Sequence, residues 1–208
     1  MSPVLSPELR GQAEAVCARY PHRRSALMPL LYLVQSVEGW VSRDGMREVA
    51  DVLGITTAEV EAVATFYTMF RLRPTGDYVL SICTNISCAL LGAKGLYERA
   101  REELGPAAEE RTADGKLSLH EEECLGACDA APVVQVNFHN YGRVTEERLV
   151  EIVAGCRNGA PPAPDLGEVP RSLKEVSRIL AGLGSVAAPV SASTAGSTAE
   201  GAPEGGDV

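Results

Sequence analysis

Six cysteines occur in this 208-residue chain, and four of them fall into two close pairs. The first pair is Cys83-Thr-Asn-Ile-Ser-Cys88, and the second is Cys124-Leu-Gly-Ala-Cys128. Paired thiols can close disulfides, shuttle electrons as a dithiol, grip zinc, or hold an iron-sulfur cluster. Structural disulfides belong to oxidising compartments, whereas the opening Met-Ser-Pro-Val-Leu-Ser-Pro-Glu has no basic or apolar leader. The chain is therefore expected in the cytoplasm. A dithiol oxidoreductase places C-x-x-C after the first strand of its fold, but here four residues intervene and a second pair follows. Structural zinc favours C-x2-C knuckles. Gaps of four and three residues suit a larger centre better, such as a cluster held by cysteine thiolates. On spacing alone, cluster and zinc both stand. Gly126 and the small Ser87, Ala89 and Ala127 let backbone approach a bulky inorganic core.

Each pair must be positioned by the elements before it. Tyr78 to Cys83 reads as a strand and Lys116 to His120 as a second, so each cysteine pair starts at or just beyond a strand end. Leu91 to Leu104 reads as a helix, with Leu96, Ala100 and Leu104 on one face. That is enough chain for the crossover a parallel strand pair requires. Both loops would then emerge at one end of the sheet. Pro132 to Asn137 and Tyr141 to Val144 suggest a hairpin around His139-Asn140, and Thr145 caps a last helix bearing Leu149, Ile152, Val153 and Cys156. The order β-α-β-β-β-α is that of a thioredoxin-like α/β sandwich.

Upstream, the pattern is helical. Ser6-Pro7 opens a helix with Leu9, Ala13, Val16 and Tyr20 on one face, and Ala26 to Glu38 is strongly apolar up to Gly39. Met46 to Leu53 closes at Gly54, and Thr56 with Glu59 makes a capping box for a helix expected to run through Phe70. That helix carries two apolar stripes, so the Phe66-to-Phe70 run reads as core, with a partner-subunit surface as the alternative. The fold class is α+β / α/β, an N-terminal helical bundle followed by a thioredoxin-like ferredoxin domain. The expected divisions are residues 1–75 for the helical domain and 76–160 for the α/β domain. Residues 161–183 read as a linker with a short helix opened by Ser172 and Glu175. Residues 184–208, rich in Ala, Ser, Gly and Pro without an aromatic residue, read as a disordered tail.

The net charge is -9, and residues 76–160 hold fourteen acids against eight bases. Without a basic patch, the chain is a poor candidate for binding nucleic acid or an anionic membrane surface directly. No stretch approaches the roughly 18 apolar residues of a membrane span. No G-x-G-x-x-G follows a strand, so a nucleotide site is not expected. His120 reads as a solvated strand-end residue, His22 and His139 as surface residues, and Cys17 and Cys156 as buried thiols.

Four segments carry a likeness to one family: Leu30-Leu-Tyr-Leu-Val-Gln35, Val63-Ala-Thr-Phe-Tyr-Thr68, Cys83-Thr-Asn-Ile-Ser-Cys88 and Glu123-Cys-Leu-Gly-Ala-Cys128. In order and spacing the chain resembles the NuoE-type 2Fe-2S subunit of NADH:ubiquinone oxidoreductase (respiratory complex I), from about Ala13 to Gly155. The resemblance implies that Cys83, Cys88, Cys124 and Cys128 ligate one 2Fe-2S cluster, with no catalytic residue in the chain. It implies a one-electron carrier subunit beside a flavoprotein that binds FMN and oxidises NADH, both confined to that partner. Further iron-sulfur subunits of the peripheral arm would be the other partners, at the inner face of the plasma membrane without insertion. A soluble NAD-linked diaphorase of a hydrogenase or formate dehydrogenase would use the same module, and a zinc-stabilised interaction module is the alternative of another class. Glu121, Glu122, Glu123 and Asp129 surround the second pair, so a cluster there is expected at low potential, nearer roughly -400 mV than the Rieske range.

Overall fold

The structure, a computed structural model, describes residues 3–165 and 167–184. The expected tail lies outside the described residues apart from Gly184.

Four helices form the N-terminal part: α1 (Pro7–Cys17), α2 (Leu27–Glu38), α3 (Arg43–Leu53) and α4 (Thr57–Phe66). Their starts follow from side chains that satisfy first-turn N–H groups. Ser6 Oγ accepts from Leu9 N–H and Ser42 Oγ from Gly45 N–H, at 3.3 and 2.9 Å. Thr56 and Glu59 complete the expected capping box around α4. Leu30, Leu31, Leu33 and Val34 on α2 are fully buried, because the other helices surround it.

One expectation fails here. The fourth helix stops at Phe66, and Tyr67 is already extended with φ -97° and ψ 116°. Thr65 Oγ1 turns back onto the Glu61 carbonyl at 2.8 Å, a bond that competes with regular helix near this end. Only Val60 and Ala64 of the helix are buried, while Phe66 is 77% exposed and meets Tyr67 edge-on. Phe70 reaches the core by a non-helical route and lies against Tyr32, ring centroids 4.9 Å apart. The run therefore divides between core and surface.

The second part comprises β1 (Tyr78–Cys83), α5 (Ile86–Leu90), α6 (Ala93–Leu104), β2 (Leu117–Glu122), β3 (Val134–Val136), β4 (His139–Tyr141) and α7 (Glu146–Arg157). The sheet order is β2-β1-β3-β4, with β1 and β2 parallel and the other pairings antiparallel. Leu80, Ile82, Leu117, Leu119, Val134 and Val136 pack with the apolar faces of α6 and α7 in one core. Gly92, at φ +90°, separates α6, expected from Leu91, from the short α5, which the sequence reading does not include. The second strand runs two residues beyond the expected end, which brings Glu121 and Glu122 onto the ladder. The hairpin also turns earlier than expected. Asn137 and Phe138 take φ of 44° and 74°, and the Asn137 carboxamide holds the turn by bonding the Val79 N–H and the Asp77 and Arg171 carbonyls.

Residues 161–183 do more than link. Their helix α8 (Leu173–Leu180) returns to the N-terminal part and packs on α2, with Ser177 Oγ 3.1 Å from Gln35 Nε2. Gln35 is fully buried, and its Oε1 also accepts from Arg71 N–H at 2.8 Å. One polar side chain thus ties α2, α8 and the strap that follows α4.

Candidate iron-sulfur site

The parallel pairing of β1 and β2 places Cys83 opposite Glu122 on adjacent strands. Both cysteine loops consequently leave the same end of the sheet. Cys83 is the last residue of β1 and Cys88 lies in α5, whose start is capped by Asn85 Oδ1 on the Ile86 N–H at 2.7 Å. The second loop leaves β2 and turns at Gly126, whose φ of +71° favours glycine. It then reaches Cys128 at the start of a short 3-10 turn.

The structure brings the two pairs together. The Cys83 thiol neighbours those of Cys88 and Cys124, and Cys88 neighbours Cys128. Cys83 and Cys88 are buried, in a small apolar cluster with Ala93, Ala131 and Val133, whereas Cys124 and Cys128 are exposed. All six cysteines are free thiols. Among the described residues, no three His, Cys, Asp or Glu side chains are arranged to hold a single metal ion.

Backbone N–H groups converge on the sulfurs. Burial pushes the Cys83 thiol up, but the Asn85 and Leu125 N–H groups and the Cys88 and Cys124 thiols outweigh it, so the net displacement is downward. Cys88 moves upward, by burial first, against the Val133 N–H. Gly126 N–H points at Cys124 Sγ, 3.4 Å away. Such donors stabilise anionic sulfur, which is what a thiolate-ligated cluster presents. Four thiols and a set of inward N–H groups fit a 2Fe-2S core.

The acidic residues are less uniform than the sequence suggests. Glu121 and Glu123 are exposed, and Glu121 accepts from Thr84 Oγ1 at 2.7 Å. Glu122 is half-buried against Arg71, with 4.0 Å between Oε1 and Nη1. The sequence gives no signal for Arg71, because the expected helix through Phe70 puts it just past a helix end, without a partner. His120 corrects another reading: it is half-buried, with Nε2 enclosed and unpartnered. Its pKa is pushed down to about 4, by burial first and by the Arg71 charge second. Cys17 and Cys156 are buried as expected, and burial alone pushes the Cys156 thiol up to about 12.

A four-stranded sheet flanked by helices, with thiol pairs at one end of its parallel strands, defines a thioredoxin-like 2Fe-2S ferredoxin. Residues 13–157 match the description of that family, and the chain belongs to it. Among its relatives is a subunit of the NADH-quinone oxidoreductase of Mycobacterium tuberculosis, 45% identical over 181 residues, covering 87% of this chain and 72% of the relative. Another subunit of an NADH-quinone oxidoreductase, from Thermus thermophilus, is 44% identical over 149 residues, covering 70% and 82%. The fold is similar to part of an NAD+-reducing NiFe hydrogenase, with a TM-score of 0.57, 21% identity and 65% of this chain covered. The chain spans 22% of that hydrogenase chain, so this likeness speaks to fold alone.

Proposed function

We propose that this chain is the one-electron carrier subunit of an NADH-quinone oxidoreductase, with Cys83, Cys88, Cys124 and Cys128 as the ligands of its 2Fe-2S cluster. The observation that carries the reading is the meeting of two thiol-bearing loops at one end of the β1–β2 pair. Family membership and 45% identity to a subunit of that enzyme supply the context. When bound, the cluster supplies reversible uptake of a single electron. The chain's own groups do the rest. Four thiolates hold the core, and the N–H groups of Asn85, Leu125 and Val133 offset negative charge on sulfur. The exposed Cys124–Cys128 loop leaves one side open to a redox partner.

In this reading the electron comes from a flavoprotein subunit that binds FMN and oxidises NADH. Other iron-sulfur subunits complete a peripheral assembly at the inner face of the membrane. Among the described residues no helix is long and apolar enough to cross a membrane. A second reading, the same module in a soluble NAD-linked diaphorase, would use the same four thiols, and the identity of co-purifying subunits would distinguish it.

The test is iron and acid-labile sulfide analysis of anaerobically purified protein, with electron paramagnetic resonance after dithionite reduction. Two irons and two sulfides per chain are expected, with a signal that Cys→Ser replacement at any of the four positions abolishes or alters. Stoichiometric zinc, or a full unaltered cluster in those variants, would overturn the assignment.

A further inference from the structure

The loop that carries Cys124 and Cys128 leaves β2 at Glu122 and rejoins the sheet at Val134. Inside it the backbone is held by short-range bonds, from Ala130 N–H to the Ala127 carbonyl at 3.1 Å and from Ala131 N–H to the Cys128 carbonyl at 3.4 Å. Both cysteines are exposed, so burial does not fix them either. We propose that the bend between β4 and α7 supplies what the loop lacks: Gly142 and Arg143 are positioning residues that clamp the turn bearing Cys128, and Asp165 locks the clamp. This rests on reading that turn as part of the 2Fe-2S site.

The contacts converge on the residues directly after Cys128. Arg143 N–H donates to the Ala130 carbonyl at 2.7 Å, and Val144 N–H to the Pro132 carbonyl at 3.1 Å. The Arg143 guanidinium donates to the Asp129 carbonyl, 3.3 Å from Nη2. Gly142 makes this approach close. A Cβ there would stand 2.6 Å from the Ala130 Cβ and 3.1 Å from the Ala130 oxygen. Cβ atoms in folded proteins do not come that near one another, so a larger residue would displace the turn. The Asp165 carboxylate, from the segment after α7, accepts from Gly142 N–H and fixes the bend in turn.

Backbone conformation points the same way. Arg143 sits at φ +48°, in the left-handed region that costs most L residues free energy and that glycine or asparagine adopts more readily. Its side chain accounts for an arginine there, because the guanidinium bonds the residue next to Cys128. Groups that orient a ligand from behind tune what the ligand holds, here the cluster's paramagnetic signature and its grip on iron.

The cluster-loaded full chain is compared with Arg143→Asn, Gly142→Ala, and the double replacement Gly142→Ala with Ala130→Gly. Each is read by far-ultraviolet dichroism, by the paramagnetic signal after reduction, and by the rate of iron transfer to a chelator. Asparagine tolerates the backbone conformation, so dichroism of Arg143→Asn should be unchanged. Its g-values should shift, and iron should leave at least about threefold faster, the worth of one hydrogen bond. Gly142→Ala should shift the signal too, and Ala130→Gly, by removing the facing methyl, should restore it. A role in folding alone would alter dichroism and leave the signal of the folded chain as in the wild type. Wild-type g-values and iron release in Arg143→Asn, or no recovery in the double replacement, would overturn the proposal. A wild type without the signal would strike the electron-carrier reading itself, whereas a wild-type signal indifferent to these replacements would strike the clamp alone.

Discussion

Replacing Arg71 with Met should lower the midpoint potential of the cluster. The side chain is 14% exposed and faces Glu122, itself the ladder neighbour of Cys83. Adjacent strands lie about 4.8 Å apart, and the guanidinium stands 4.0 Å beyond the Glu122 carboxylate. The positive charge is thus on the order of 10 Å from the cluster's sulfur shell, by strand spacing plus side-chain reach. At that range, an effective dielectric of about 20 gives roughly 1.7 kcal/mol per unit charge. For a one-electron couple this is about 70 mV, and water-like screening reduces it to about 20 mV. Reduction takes a four-thiolate 2Fe-2S centre from a formal charge of -2 to -3, so a nearby cation favours the reduced form. Its loss must move the midpoint down.

Anaerobic redox titration followed by paramagnetic resonance measures the shift. The fold should survive, because the backbone bonds of Arg71, from its N–H to Gln35 and from Val41 to its carbonyl, do not involve its side chain. A double replacement, Arg71→Met with Glu122→Gln, also removes the nearer negative charge and should raise the midpoint from the Arg71→Met value to the wild-type value or above. An unchanged or raised midpoint in Arg71→Met, with intact iron content, would refute the electrostatic reasoning.

Other perturbations separate the remaining effects. Glu121→Gln with Glu123→Gln should move the midpoint by less than about 20 mV, since both carboxylates are exposed and screened; a larger rise by redox titration would contradict this. Gly76→Ala should cost about 1–3 kcal/mol in urea unfolding, because a Cβ there would stand 2.5 Å from the Leu117 carbonyl carbon at the start of β2; unaltered stability would count against that packing. His120 is depressed to about 4 in the fold, by burial first and Arg71 second, against an ordinary value of 6.5. The unfolded chain therefore binds the extra proton between those values, so stability is unaffected above about pH 6.5 and falls as pH drops towards 4. After discounting for partial exposure the loss is about 2 kcal/mol; His120→Asn should flatten the wild-type stability profile over that window, and identical profiles would refute the assignment.

The sequence was most legible where local rules act alone. Ser6, Thr56, Ser172, Gly39 and Gly54 mark helix ends by their own chemistry, and those ends stand in the structure, whereas Ser42 opens α3 three residues before the expected Met46. The four cysteines were legible because few chemistries use four thiols in two pairs, and parallel strands bring their loops together. Failures occurred where tertiary partners decide. Asn137 takes the hairpin turn because its carboxamide finds three backbone partners distant in sequence, which no local pattern encodes. The stripe at Phe66 lost to Phe70 because α2 has room for only some of the run. His120 and Arg71 acquired their environments from opposite sides of a junction between two separately patterned regions.

That junction bears directly on function. Gly76 N–H bonds Ser118 Oγ at 2.8 Å, and Leu173 N–H bonds the Asp77 carbonyl at 2.7 Å. Gln35 ties the Arg71 strap to the helical core, while Arg71 reaches Glu122 beside Cys83. The helical part therefore sets a cation beside the acidic end of β2, next to the strand that ends in Cys83. A thioredoxin-like sheet alone would keep the four thiols but lose that charge. Its cluster should form and titrate lower than in the full chain, by the same 20–70 mV reasoned for Arg71.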